Sequence, residues 1–298
     1  MKSWRYSKGV TAKTLTGKLE DHISLSNITR SPTKDSLARD QVIIRVLYAT
    51  LNPADYKIPE SDWFGRSFGL GNGAQPGMDF SGHVVAKHDS NTKYKEGNLV
   101  FGSLKKASQY GTLGEFTVAS VSELAIVPEG VTPMEAAAIG MSAGTAWNSL
   151  VSLTRESGAH VFINGGSGGV GAYTIQLAKS MGAEVTATCS TRNVGLVSGL
   201  GADHVIDYKK TNLLEELQAL GPQFDLVVDN VGEPHDLYHH SPGFLKVNGT
   251  FVQVAATPTA TGTGQIFSNL IKSRLPGYRN FHFVTDKGKR VIPAETGN

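Results

Sequence analysis

Val161-Phe162-Ile163-Asn164-Gly165-Gly166-Ser167-Gly168-Gly169-Val170-Gly171 decides the fold of this chain. An apolar run from His160 to Asn164 reads as a strand. It enters a glycine loop, and the loop opens onto a helix expected over Val170 to Met181. Gly166, Gly168 and Gly171 satisfy G-x-G-x-x-G. Each glycine answers a steric demand: one makes the tight turn, one lets backbone N–H groups approach a pyrophosphate with no Cβ between them, and one lets the helix pack on the strand. The helix start then turns its unpaired N–H groups and the positive end of its dipole toward the anion. A glycine turn with no ligand has the same spelling. Here a strand precedes the motif, a helix follows it and a whole strand–helix–strand unit contains it, which points to a dinucleotide. Gly166, Ser167, Gly168, Gly169, Val170 and Gly171 are therefore candidate cofactor-binding residues. No Gly-Lys-Ser/Thr follows, so the loop is not a P-loop.

Downstream, strands and helices alternate: Ala183–Thr188 strand, Val194–Leu200 helix, Asp203–Ile206 strand, Leu213–Leu220 helix, then strands Phe224–Asp229 and Gly249–Val254. Ile175, Leu177, Ala178 and Met181 fall on one inner face of the first helix. This alternation specifies a parallel, doubly wound α/β sheet. The second strand ends in Cys189-Ser190-Thr191-Arg192. A site for NADH usually carries Asp or Glu there to hold the ribose 2′-hydroxyl. Two hydroxyls and a guanidinium stand there instead, groups that suit a 2′-phosphate, so NADPH is the expected cofactor, with Ser190 and Arg192 as its readers. The plainer alternative is that Ser190 caps the next helix and Arg192 is solvated.

Upstream the texture differs. Gln41–Leu51 reads as a strand, with Leu19–Ile28 a second candidate. Asp55–Pro76 reads as loop. Phe80–Lys87, Leu99–Gly102 and Glu115–Ala119 read as short strands punctuated by glycines, a small antiparallel barrel or sandwich. Met134–Ala138 reads as a helix. A length of 298 residues suggests about two domains. With 40% hydrophobic and 18% charged residues the chain is not of the disordered class. A net charge of +2 and no Lys/Arg cluster argue against nucleic acid as a partner. No apolar run approaches the ~18 residues of a membrane span, and Met1 to Val10 lack a signal-type apolar region; the expected setting is cytoplasmic. The single cysteine, Cys189, excludes an internal disulfide and a multi-cysteine zinc site.

The chain resembles the medium-chain dehydrogenase/reductase superfamily, in its zinc-free quinone oxidoreductase and enoyl reductase branch. The matching text is Leu51-Asn52-Pro53-Ala54-Asp55-Tyr56-Lys57, Pro76-Gly77-Met78-Asp79-Phe80-Ser81-Gly82, Gly114-Glu115-Phe116, Ala136-Ala137-Ala138, Gly144-Thr145-Ala146-Trp147, the glycine loop, Leu200-Gly201-Ala202-Asp203-His204-Val205-Ile206-Asp207-Tyr208 and Asp229-Asn230-Val231-Gly232. The resemblance implies a GroES-like β-barrel catalytic domain over residues 1–125, a Rossmann NADP-binding domain over 126–266 and a return segment over 267–298. It implies a cofactor in the cleft between the two domains. Asn52 is implied to lie near nicotinamide and substrate, with Tyr56 and Lys57 close by on the same loop, and Thr145 to face the nicotinamide. Ser190 and Tyr208 are implied to lie by the 2′-phosphate, and Asn230 and Val231 to end a strand on the cofactor side.

The implied chemistry is metal-free hydride transfer from NADPH to a quinone or an activated double bond of a small-molecule substrate. Asn52 would hydrogen-bond a carbonyl or the nicotinamide ribose, Tyr56 would donate a proton and Lys57 would steady a phosphate or ribose hydroxyl. Tyr56 as a mere loop wall is the plainer alternative. Asp79 is expected to cap or brace a barrel turn and is given no catalytic role. No zinc ligand set is legible: Val84 follows Gly82-His83 where Gly-His-Glu would need an acid, and His83 is expected to pack inside the barrel. His235 and His239, four apart, are expected on a solvated helix face. No Gly-x-Ser-x-Gly elbow is present. Relatives continue for several dozen residues beyond the Asn280–Val284 text, so the return segment is expected to be shortened and the barrel to lack closing strands. Two alternatives follow: a zinc-independent carbonyl or alcohol dehydrogenase, or a truncated NADPH-binding protein without turnover. Either a monomer or a homodimer is compatible with the sequence.

Overall fold

A strand alternates its side chains between two faces, so the unbroken apolar run Val161-Phe162-Ile163 must be covered on both. In the computed structural model it is β8 (His160–Asn164), third of a seven-stranded sheet ordered β10-β9-β8-β11-β12-β13-β14. The partners are β9 (Glu184–Cys189), β10 (His204–Asp207), β11 (Phe224–Asp229), β12 (Leu245–Gln253), β13 (Asn280–Val284) and β14 (Arg290–Val291). All pairs are parallel except β13 with β14. Counted from β8, the six parallel strands run 3-2-1-4-5-6, which puts the topological switch point between β8 and β11. The structure describes residues 1–6, 22–60, 73–105, 109–151, 153, 158–254, 269, 280–284 and 290–291.

Both faces are filled. Val161 and Ile163 pack with Val185, Ala187, Leu226 and Val228, and with Ile175 and Ala178 of the helix Gly169–Ser180. Phe162 faces the other way, among Phe224, Phe251, Phe281, Tyr238 and Leu217. Leu177 and Met181 pack at the margin of the first cluster. The doubly wound sheet expected from the alternation is therefore present.

The chain divides into two compact units, Met1–Met141 and Ser142–Asn298. In the first, β3 (Gln41–Thr50), β4 (Asp79–Lys87), β5 (Leu99–Ser103), β6 (Phe116–Ser120) and β7 (Leu124–Ile126) form an antiparallel sheet ordered β6-β3-β4-β5-β7. Val42, Ile44, Phe80, Val84 and Val100 fill its core. A separate ribbon pairs β1 (Ser3–Tyr6) with β2 (Ile23–Ser26); residues 19–21 of the expected strand lie outside the described residues.

Three expectations need correction. The stretch read as loop from Asp55 begins inside a helix, α1 (Pro53–Glu60). Pro53 at its first position has no N–H to waste, and the Asp55 carboxylate accepts the Asn52 N–H at 2.7 Å, the acidic half of a capping box. His83 is exposed, because alternation along β4 buries Gly82 and Val84 and turns His83 outward to Gly97 O at 3.1 Å. His235 and His239 do not share a helix: only Leu237–His240 is helical, and His235 precedes it, paired with Glu233 at 2.9 Å.

Candidate functional site

The helix Gly169–Ser180 starts at an N-cap that is itself glycine, Gly168, which makes no side-chain cap bond. Its first-turn N–H groups, from Gly169, Val170 and Gly171, have no partner within the helix by geometry. The glycines around it differ in what they serve. A Cβ at Gly171 would land on the carbonyl of Gly165, and one at Gly166 would stand 3.0 Å from Ala187 Cβ. The chain itself needs those two glycines. Gly168 has an ordinary extended backbone (φ −79°, ψ 168°), and a Cβ there would meet only Gly165 O, at 3.5 Å. Among the described residues nothing requires a glycine at that position, so the clearance suits something that approaches from outside.

Below the loop lies a buried polar train at the carboxyl ends of three adjacent strands. Gly165 N donates to Thr188 Oγ1 at 2.8 Å, and that hydroxyl donates to Asn164 Oδ1 at 2.8 Å. Asn164 Nδ2 donates to Asp229 Oδ1 at 2.9 Å and to Glu233 O at 2.8 Å. The same Asp229 oxygen accepts Val231 N at 3.1 Å and Gly232 N at 3.0 Å, closing a turn around Asn230. Burial pushes the Asp229 carboxyl up from its ordinary value, against the pull of these donors. The Asn230 carboxamide has both its nitrogen and its oxygen buried with no partner. A buried amide without partners calls for a ligand that donates and accepts.

On the other side of β8, Ser190 and Arg192 follow β9. Ser190 starts a short turn without capping it through its side chain, and Arg192 is exposed. Asn193 ties this end to the glycine loop: its Nδ2 donates to Ser167 Oγ at 3.0 Å and to Ser190 Oγ at 3.3 Å. Tyr208 is half-exposed, with Lys209 Nζ 5.6 Å from its ring centroid. A carboxylate stands nearby on β10, Asp207. A hydrogen bond from Thr191 holds it below its usual range, and Lys210 lies 3.9 Å away. Thr145 sits on the helix Gly140–Leu150, half-buried, one turn after Ser142, whose Oγ would lie 2.9 Å from a Cβ at Gly169.

In the first unit Asn52 is buried and held from two sides. Its backbone N–H goes to Asp55, and its Nδ2 donates to Asp79 Oδ2 at 2.9 Å. The same Asp79 oxygen accepts Met141 N at 2.9 Å, so Asp79 caps the start of the helix Gly140–Leu150. Burial raises the Asp79 carboxyl, while its hydrogen bonds pull it down. Burial likewise pushes Asp55 up to about 6. Tyr56 is 45% exposed on α1. Lys57 follows it on the same helix; its side chain lies outside the described residues. Among the described residues no three His, Cys, Asp or Glu stand close enough to hold a metal ion, and Cys189 is buried in β9.

Asn164, Thr188, Asp229 and Asn193 escaped the sequence reading. The first three share one signal: each is a polar residue at or next to the carboxyl end of an apolar strand, where open α/β sheets bind ligands.

Residues 38–136 match the alcohol dehydrogenase GroES-like domain, and residues 169–276 match the zinc-binding dehydrogenase domain. Trans-enoyl reductase pgmF of Aspergillus terreus is 43% identical over 286 residues, 93% of this chain and 77% of the relative. The chain belongs to the medium-chain dehydrogenase/reductase superfamily, in its enoyl and quinone reductase branch. This member is thus an oxidoreductase by family. It is also 33% identical to the chloroplastic NADPH-dependent alkenal/one oxidoreductase of Arabidopsis thaliana over 239 residues, 78% of this chain and 58% of that protein. The quinone oxidoreductase of Coxiella burnetii has a similar structure, with TM-score 0.78 and 27% identity, covering 97% of this chain and 84% of that one. Among the described residues no helix is long and apolar enough to cross a membrane.

Proposed function

We propose that this family member is a zinc-free, NADPH-dependent reductase of quinones or of α,β-unsaturated carbonyl compounds. The observation that carries the reading is the glycine loop: a helix start with no side-chain cap, beside a position, Gly168, where an added Cβ would meet no described side chain. A pyrophosphate there would meet backbone N–H donors and the helix dipole. The orphaned Asn230 amide fits a dinucleotide that extends past β8 toward β11. Ser190, Arg192 and Tyr208 would receive the 2′-phosphate. The segment Cys189-Ser190-Thr191-Arg192 that ends β9 carries no carboxylate, and charge-assisted bonds from a guanidinium favour phosphate over hydroxyl. The name of the Arabidopsis relative, NADPH-dependent, supports the same choice.

When bound, NADPH supplies the hydride. The chain supplies position and polarisation. Gly166, Ser167, Gly168, Gly169, Val170 and Gly171 hold the phosphates, and Asn230 and Val231 border the nicotinamide half with Thr145. Asn52 hydrogen-bonds the substrate carbonyl or the nicotinamide ribose, kept in place by Asp79 and Asp55. Tyr56, exposed enough to reach a ligand, delivers the proton to the enolate or hydroquinone oxygen, directly or through water. Lys57 steadies a phosphate or ribose hydroxyl. Residues 1–125 form the substrate-handling domain on this reading, 126–266 the dinucleotide domain and 267–298 the return segment. Zinc independence is read from the sequence, in which the single cysteine lies in the second unit and Val84 stands where Gly-His-Glu would need an acid.

The test is NADPH oxidation by the purified protein with enones, quinones and simple ketones, each with and without a chelator. Turnover of enones or quinones that ignores the chelator supports the reading. Turnover confined to ketones, or lost on chelation, sinks it.

A further inference from the structure

We propose that Thr188, Asn164 and Asp229 form a positioning train that fixes the Asn230 turn against the glycine loop, so that the two halves of one dinucleotide are held as a unit. The proposal rests on the cofactor reading above.

The train runs Gly165 N to Thr188 Oγ1 to Asn164 Oδ1, then from Asn164 Nδ2 to Asp229 Oδ1, which also accepts Val231 N and Gly232 N. Thr188, Asn164 and Asp229 are 0%, 3% and 2% exposed. Three polar side chains on otherwise apolar strands are a poor way to gain stability. Each must be desolvated, and shape-matched apolar residues would fill the space as well. Such networks gain orientation instead, since a satisfied chain of buried hydrogen bonds has one geometry.

Both ends of this train leave the core. One end is the backbone of Gly165, which opens the phosphate loop. The other is the turn that carries Asn230, whose buried amide has no partner among the described residues. The strand order sets which half of a ligand each end meets. Ser190 and Tyr208 follow β9 and β10 on one side of β8, and Asn230 follows β11 on the other. A dinucleotide lying across the strand ends, with its adenosine over β9, brings its nicotinamide half to β11. The nicotinamide carboxamide and the ribose hydroxyls each donate and accept, as the orphaned amide requires. Asn230 then reads the nicotinamide half, and the train sets its distance from the phosphates.

The decisive experiment measures calorimetric affinity for two ligands, NADPH and 2′-phospho-ADP, which keeps the pyrophosphate and lacks both the nicotinamide and its ribose. The proteins are the parent, Thr188→Val, Thr188→Ser and Asn164→Ala, each with a thermal melt. Thr188→Val keeps the shape and removes the hydroxyl. It is expected to weaken NADPH about tenfold and 2′-phospho-ADP roughly threefold or less. Thr188→Ser restores NADPH, and Asn164→Ala repeats the selective loss by cutting the train at a second point. Equal losses for the two ligands, or a lowered melting temperature with both affinities unchanged, would overturn the proposal. A parent protein that binds neither ligand removes the cofactor reading and the train with it. A parent that binds both, with variants indistinguishable from it, removes the train alone.

Discussion

The glycine loop of the second unit and the Asn52 segment of the first hold polar groups in opposite ways. The loop offers backbone N–H groups, fixed by the chain path and indifferent to pH between the titration ranges of side chains. The Asn52 segment is held by two carboxylates, Asp55 and Asp79, which burial makes reluctant to ionise. A backbone site fails when volume is added. A carboxylate site fails when charge or a lone pair is removed. Substitutions in the two regions should therefore leave different signatures.

The largest effect is expected at Gly171. Gly171→Ala puts a Cβ on the Gly165 carbonyl and should lower stability by about 3 kcal/mol or more, read as a large drop in melting temperature. Gly168→Ala, in the same loop, should melt within a degree or two of the parent and lose at least about tenfold in NADPH affinity. A Gly168→Ala protein with undiminished affinity would mean that no phosphate passes that position.

Next comes Asp79. Asp79→Ala strands two buried donors, Asn52 Nδ2 and Met141 N, and should cost about 2–4 kcal/mol by chemical denaturation. Asp79→Asn keeps an acceptor and should cost no more than about half of that. Equal costs would show that packing, not acceptance, is what Asp79 supplies.

At the adenosine end the effect is on selectivity. Ser190→Ala with Arg192→Ala should weaken NADPH roughly tenfold or more while NADH changes little. Parallel losses for the two cofactors would remove the 2′-phosphate assignment.

The smallest effect is a pH slope. Asp55 titrates near 6 in the folded chain and near ~3.9 unfolded. Between those values the native state holds the extra proton, so stability falls as pH rises from about 4 to about 6 and is level above. The contribution is at most ~3 kcal/mol, because each pKa unit is worth ~1.4 kcal/mol. Melting temperatures of Asp55→Asn against the parent from pH 4 to 7 should show a shallower slope in the variant. Parallel curves would place the titration elsewhere.

These contrasts also explain what could be read from the residues beforehand. The parallel sheet was legible because strands buried on both faces spell continuous apolar runs, and because the glycine loop encodes backbone geometry one residue at a time. Helix Pro53–Glu60 was not: it is short and polar, and part of what holds it is a carboxylate inside its own first turn. His83 could have been placed by parity, since Val84 beside it is apolar and a strand cannot bury both. The train could not be assembled in advance. Asn164, Thr188 and Asp229 lie far apart along the chain, and only the adjacency β9-β8-β11 brings them together. For the same reason the sequence named Asn230 but gave no sign that its amide is left without a partner.

Selectivity of the dinucleotide site for NADPH decides between these readings. It is measured by calorimetric titration of the purified protein with NADPH and with NADH. Saturable binding of NADPH at least about tenfold tighter than NADH is expected. Tighter NADH, or no binding of either by a protein that melts cooperatively, would contradict it.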